Sequence, residues 1–315
     1  MRAGLPKGLL FYRYSPFFTT FFIELGAEIV VSGDTSKAVL DAGVRHCVDD
    51  ACLPVKVFHG HAASLANDCD LLVVPRFMRI REREFICPKF CGLPEMVMNS
   101  VPGLPPVTAA PIYAQTEAPF YRWARETGAL VTRDRARVRR AFAAALESLN
   151  KHRAGIRDRG YPLTVALLGH PYNVYDTFVN MDLVNKLHGL GVGVITEENL
   201  DAEAIDAEAQ RLDKRPFWTF AKNAFGFAVH MATNGLVDGL VYVSSFACGI
   251  DSVVTERIKL YIGETPYLVL KLDEHTGEAG VDTRIEAFAD MLRRKANGAY
   301  VPASGQRVSR GQGAV

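Results

Sequence analysis

The sequence predicts an α/β protein made of doubly wound parallel sheets, on three observations. Short runs rich in Val, Ile and Leu, such as LLVV over 71–74 and GLVYVS over 239–244, recur along the chain and read as buried strands. Amphipathic segments of helix length lie between them, and that alternation is how parallel α/β layers look in sequence. At 315 residues, the chain is long enough for two such layers, each with its own core.

In the first half, GLLFY (8–12) is the expected first strand. SPFFTTFFIELG (15–26) is the following helix, with Pro16 near its start and Gly26 at its end, where each is favoured. AEIVVS (27–32) and LLVVP (71–75) continue as strands, and PPVTAA (105–110) as a weaker one. A charged helix over 134–153 then leads to Arg157-Asp158-Arg159-Gly160-Tyr161-Pro162. This divides the chain into an N-terminal α/β domain over 1–133, a helical linker over 134–160 and a C-terminal α/β domain over 161–299. In the second domain TVALLG (164–169), VGVITE (192–197), GLVYVS (239–244) and PYLVLKL (266–272) are the strands. The helices are predicted over 175–191, 217–235, 251–263 and 283–295. Four such units complete a doubly wound, Rossmann/flavodoxin-like layer. The residues over 300–315 have neither periodicity nor apolar content, and a disordered tail is expected there.

Lys and Arg number 36 against 35 Asp and Glu, so no strong field draws the chain to nucleic acid or an anionic membrane. The basic run RDRARVRRAF (133–142) reads as a solvated helix face. No uncharged apolar run of about 18 residues appears, nor a signal peptide's apolar stretch, so a soluble cytoplasmic protein is expected. In that compartment the six cysteines, at 47, 52, 69, 87, 91 and 248, are expected as thiols or metal ligands. A GxxxxGK[ST] loop is missing, and GLGVG (189–193) precedes a strand instead of following one, against the dinucleotide fingerprint.

Ligands of open parallel sheets bind beyond the carboxyl ends of the strands. That edge gathers His170, Tyr172 and Asn173, the corner at Cys248, and the loop Asp273 to Glu278, together with Tyr12, Arg13, Tyr14 and Arg76. Cys248 lies between a strand and a helix predicted from Asp251, beside Gly249 whose backbone can bend freely. Amides at a helix head favour a thiolate, which makes it a candidate ligand or nucleophile. Cys52 follows Asp49 and Asp50, expected caps, at another helix head, and Cys87 lies in an irregular proline-rich segment. Lys56 and Lys89 are placed to offset negative charge near these sulfurs. Cys47 and Cys69 are assigned to packing, and Cys91 stays open. Zinc fits poorly, because no CxxC pair occurs and His59 and His61 alternate. Thiolates without such pairs suit an iron-sulfur cluster better.

Taken together, DDACLPVK (49–56), FICPKFCGLP (85–94), GHPYNVYD (169–176), the Cys248 corner and LDEHTGEAG (272–280) resemble the activase-related branch of the 2-hydroxyacyl-CoA dehydratase superfamily. The resemblance runs from residue 3 to about 297. It implies two α/β domains with a [4Fe-4S] cluster in the cleft, held by Cys52, Cys87 and Cys248. It further implies an ATP-dependent activase or other low-potential electron donor, a small-molecule substrate such as an acyl-CoA, and a homodimer by analogy. Cys91 is then a spare thiol or a fourth ligand. His275, Glu278 and Asp273 are the expected proton-transfer groups, with capping of a helix from about Val281 as the alternative. His170, Tyr172 and Asn173 either contact substrate or shape their turn. The chain is shorter than the dehydratases and lacks the activase's nucleotide-binding domain. An electron-transfer or cluster-carrier subunit, a double-cubane-type reductase and a structural metal module therefore stay open beside an oxygen-sensitive enzyme.

Overall fold

The computed structural model describes residues 1–214 and 217–298. The tail predicted over 300–315 lies outside the described residues. The first half contains β1 (Arg2–Leu5), α1 (Phe11–Glu24), β2 (Glu28–Val31), α2 (Lys37–Arg45), α3 (Leu53–Ser64) and β3 (Leu71–Leu72). There follow β4 (Arg76–Arg79), α4 (Pro88–Cys91), α5 (Leu93–Ser100), β5 (Pro111–Tyr113), α6 (Glu117–Gly128) and α7 (Arg135–Lys151). The second half contains β6 (Leu163–Gly169), α8 (Pro171–Val174), α9 (Leu183–Gly189), β7 (Val192–Ile195), α10 (Ala202–Ala209) and α11 (Thr219–Thr233). It closes with β8 (Gly239–Ser245), α12 (Gly249–Lys259), β9 (Tyr267–Leu272) and α13 (Glu278–Ala296).

Both main sheets are parallel. The first has the order β2-β1-β3, and the second β7-β6-β8-β9. Each begins second-first-third, the doubly wound order of flavodoxin-like folds. β4 and β5 form a separate parallel pair. All seven residues of β8 are buried, as expected of a strand covered on both faces. Alternate residues of β6 and β8 supply opposite layers of core: Val165, Leu167, Val241 and Val243 pack with Ile285 and Phe288 of α13. Ala166, Leu168, Leu240 and Tyr242 pack with α11 and α12. In the first half Phe17, Phe21 and Phe22 of α1 meet Val138, Ala141 and Phe142 of α7, whose Arg135, Arg139 and Arg140 are exposed while Arg137 donates to the Glu24 carbonyl at 2.7 Å. Asp134 caps α7, its carboxylate accepting from the Ala136 and Arg137 amides at 2.9 Å.

Several predicted elements are displaced, each for a local reason. GLLFY is not a strand. The strand is RAGL upstream, because Pro6 has no N–H for a ladder and Leu9 takes a left-handed φ of 51°, after which Phe11 and Tyr12 open α1. PPVTAA contributes a single bridge, Leu72 to Val107. The helix predicted over 175–191 is reduced to Leu183–Gly189. Asp176 Oδ1 accepts the Phe178 and Val179 amides in a local turn, and Met181 and Asp182 both adopt φ of 57°. β7 ends at Ile195, and Glu197 enters a short 3-10 turn.

The two halves share apolar and polar contacts. Leu40 of α2 and Leu53 and Val57 of α3 belong to the same core as β6 and α13. Tyr12 donates to Asp176 Oδ2 at 2.9 Å, and Thr35 to the same oxygen at 2.5 Å. The Ser32 and Thr35 hydroxyls in turn meet the two ring nitrogens of His61, each at 2.9 Å. Burial pushes the His61 pKa down to about 4, with Asp176 acting in the opposite sense. The unfolded chain takes up this proton near pH 6.5, so the stability due to neutral His61 is complete above that pH and falls as pH drops towards 4. At pH 5 the loss amounts to about 2 kcal/mol. Urea unfolding at pH 7.5 and pH 5 should show it in the wild type, and His61→Gln should lack that component.

Candidate functional site

Cys52, Cys87 and Cys248 occupy equivalent positions: each is the N-cap residue of a helix, α3, α4 and α12 respectively. All three are half-buried free thiols. None of the sulfurs caps its own helix through a hydrogen bond, which leaves them available to a ligand. Prolines in the first turns of α3 and α4 cost nothing, since those N–H groups lack an intrahelical partner anyway. Asp49 and Asp50 do not cap α3, because Cys52 itself takes that place. The bend before Cys248 falls on Ala247, at a left-handed φ of 62°, and not on Gly249, which is the first residue of α12. Outside glycine that conformation costs about 1–2 kcal/mol, so the corner holding Cys248 is strained.

Tyr172 joins the three thiols. Burial raises its pKa well above the ordinary value, helped by the charges of Cys52, Asp251, Cys248 and Cys87. Its hydroxyl has no hydrogen-bond partner among the described residues. Burial likewise pushes up the Cys87 thiol; the charges of Cys52 and Cys248 add to this, and Lys89 opposes it through its amide and its ammonium. Deprotonated together, three such sulfurs would repel one another unless a cation neutralised them.

His170, at the head of α8, stands behind Cys248. Its Nε2 lies 4.0 Å from the Cys248 sulfur and 3.1 Å from Asp251 Oδ1. Burial alone would lower the His170 pKa, but the Asp251 carboxylate raises it well above the ordinary value. Asp251 is fully buried and accepts from Tyr242 at 2.8 Å and Ser244 at 3.0 Å. These bonds and His170 hold its carboxyl below the usual range against the effect of burial. An imidazolium is thereby fixed beside a thiol.

Among the described residues, His170, Cys248 and Asp251 are the one group of three such ligands whose atoms all lie within 4.8 Å of one another. Thiolates sharing one zinc sit about 2.3 Å from it, hence no more than about 4.6 Å apart. Cys52, Cys87 and Cys248 are spread more widely than that. Thiolates are also the usual donors to iron-sulfur clusters, whose ligands bind different irons.

A family model described as CoA enzyme activase uncharacterised domain matches residues 2–200. The chain belongs to this family. No curated protein matches the chain. The family match takes in Cys52, Cys87 and His170 and ends before Cys248 and Asp251.

The remaining predicted residues fall elsewhere. Asn173 is buried and accepts from Ser245 at 2.9 Å, holding α8 to the end of β8. Asp273 accepts from the His275 amide at 2.9 Å and the Thr276 hydroxyl at 2.7 Å, and its carboxyl is held below the usual range by these bonds. Exposed Glu278 pairs with Lys186 at 2.6 Å and opens α13, which starts there and not near Val281. His275 is exposed. Lys56 is buried and paired with Glu274 across the halves, so its charge is already compensated. Cys91 directs its thiol to the Phe77 carbonyl at 3.7 Å. Cys69 is buried against Gly4, where an added Cβ would meet its sulfur at 2.6 Å. Burial raises the Cys47 thiol, which also feels Lys56 and Cys52. Sequence reasoning missed the role of Asp251 by starting the helix there. Counted from the true cap, Cys248, Asp251 is the third helical residue, where a side chain can reach back towards the cap.

An apolar cavity of about 830 Å³ opens beside Cys87 and Gly249. Phe217, Trp218, Phe225 and Val254 wall it, and Lys214 and Arg257 face it together with Asp213. Among the described residues no helix is long and apolar enough to cross a membrane.

Proposed function

We propose that the chain is an iron-sulfur protein acting on an acyl-CoA or a similar small anionic molecule, with an ATP-dependent activase or another low-potential donor as its electron source. The observation that carries this reading is the convergence of three half-buried N-cap thiols from both halves upon Tyr172. Cys52, Cys87 and Cys248 would hold a [4Fe-4S] cluster. When bound, the cluster supplies electrons one at a time at low potential. Around it, the protein's own groups have distinct tasks. Tyr172 keeps its proton and offers it from a phenol that no acceptor among the described residues engages. The His170 imidazolium, oriented by Asp251, stabilises negative charge on Cys248. Lys214 and Arg257, which outnumber Asp213 in the cavity lining, favour an anionic ligand, and the aromatic wall takes its apolar part and excludes water.

The His170, Cys248 and Asp251 group supports a second reading, a single metal ion at that point. It leaves Cys52 and Cys87 without a role. Analysis of anaerobically purified protein separates the two. The cluster reading expects close to four irons and four acid-labile sulfides per chain, and an EPR signal on reduction that acetyl-CoA perturbs. One metal without sulfide would establish the second reading. A full cluster indifferent to every thioester would identify an electron carrier.

A further inference from the structure

A second cavity, of about 360 Å³, lies between α1, the end of α7, α8 and the stretch from Glu197 into α11. It is more polar than the apolar cavity, with three arginines and two glutamates facing it. Arg13, Arg81 and Arg153 bring guanidinium donors, and Glu197, Glu198 and Asn223 bring acceptors.

The acceptor side is incompletely satisfied. Asn223 is 4% exposed, and its Oδ1 is buried with no partner among the described residues; such a group normally has a donor against it. Its Nδ2 reaches Glu197 Oε1 at 3.4 Å, while Glu198 accepts from the Tyr175 hydroxyl at 2.7 Å. Burial and the charge of Glu198 raise the Glu197 carboxyl to about 7, with Arg13 only partly offsetting them. The pair of acids therefore lacks a full counter-charge. On the donor side, the Arg13 guanidinium has no hydrogen-bond partner among the described residues, and Arg81 makes one loose pair, to Asp206 at 3.5 Å.

A simple anion would meet Glu197 and Glu198 in this space, and a simple cation would meet the arginines. We propose that the cavity binds a small zwitterion of the α-amino acid class, its carboxylate on Arg13 and Arg153 and its ammonium against Glu197, Glu198 and Asn223 Oδ1. Planar guanidinium groups match carboxylates in a bidentate manner. The volume lies in the range of small-molecule sites. The proposal does not depend on what the cysteines hold.

Isothermal titration calorimetry of the full chain against the twenty L-amino acids, singly and at millimolar concentration, tests it. At least one should bind, and the matching carboxylic acid without the amine, and the amine without the carboxylate, should each bind at least tenfold more weakly. Arg13→Gln should weaken binding at least tenfold. Arg153→Gln, at an exposed position and so harmless to folding, should do the same. Binding by none of the twenty, equal binding of the bare carboxylate, or binding that survives both substitutions overturns the proposal. Because heat of binding is read directly, a negative result leaves the reading of the thiols untouched.

Discussion

Cys52→Ala, Cys87→Ala and Cys248→Ala should each lose most of the iron carried by anaerobically purified protein, whereas Cys69→Ala and Cys91→Ala should keep it. The three positions are equivalent in structure, each the cap of a helix with a sulfur that no bond to its own helix engages. With three protein ligands in all, loss of one removes a third of the attachment and opens a further iron to solvent. Cys69 is occupied otherwise, donating to the Leu65 carbonyl at 3.3 Å and packing on Gly4. Iron determined by mass spectrometry on matched preparations gives the comparison. Equal retention across the five variants would remove the basis for the cluster.

Lys222→Met should have the largest effect on stability, a loss of about 3–5 kcal/mol in urea unfolding. The Lys222 side chain is 1% exposed and donates to Glu84 Oε1 at 2.5 Å, itself on a side chain 2% exposed, and to Asp206. Removing the ammonium leaves the Glu84 carboxylate buried, its second oxygen already without a partner among the described residues. Most of the cost is this stranded charge and not the lost attraction. Lys222→Met combined with Glu84→Gln should therefore be the more stable of the two variants. Glu84 stands three residues before Cys87, in a segment hydrogen-bonded to the second half through Phe85 and its neighbours Phe217 and Thr219, at 2.6 and 2.9 Å. Loosening it should lower iron content as well as stability. A Lys222→Met protein as stable as wild type would mean that water reaches the pair.

The second sheet was legible in the sequence because its strands are buried on both faces. GLVYVSS carries no charged residue, and the helices around it are long enough to show their period. The first half was harder. Its β1 has four residues and β3 two, too short to show a pattern, and the apolar run GLLFY belongs to the turn and helix that follow. The helix-head positions of Cys52 and Cys248 were legible because a proline follows the first and a buried strand precedes the second, whereas Cys87, expected in an irregular segment, also heads a short helix. His170 with Asp251, and Glu84 with Lys222, could not be found: each pair is joined across many residues of sequence, and nothing near either partner announces the other. Asp273 and Glu278 show how a polar loop beyond a strand allows both a catalytic and a local structural expectation; here the two carboxylates bond within the loop's own turn and to Lys186.

The strand order β7-β6-β8-β9 bears on where this chain can be divided. A fragment ending at residue 200, where the family match ends, keeps β6 and β7 but removes β8. One side of β6 then presents the unpaired amides and carbonyls that Val165 to Gly169 share with Gly239 to Val243, flanked by wholly apolar side chains. Such an edge is a template for pairing with other chains. Residues 2–200 thus do not enclose a complete sheet, and the solubility of such a fragment depends on a strand from outside it.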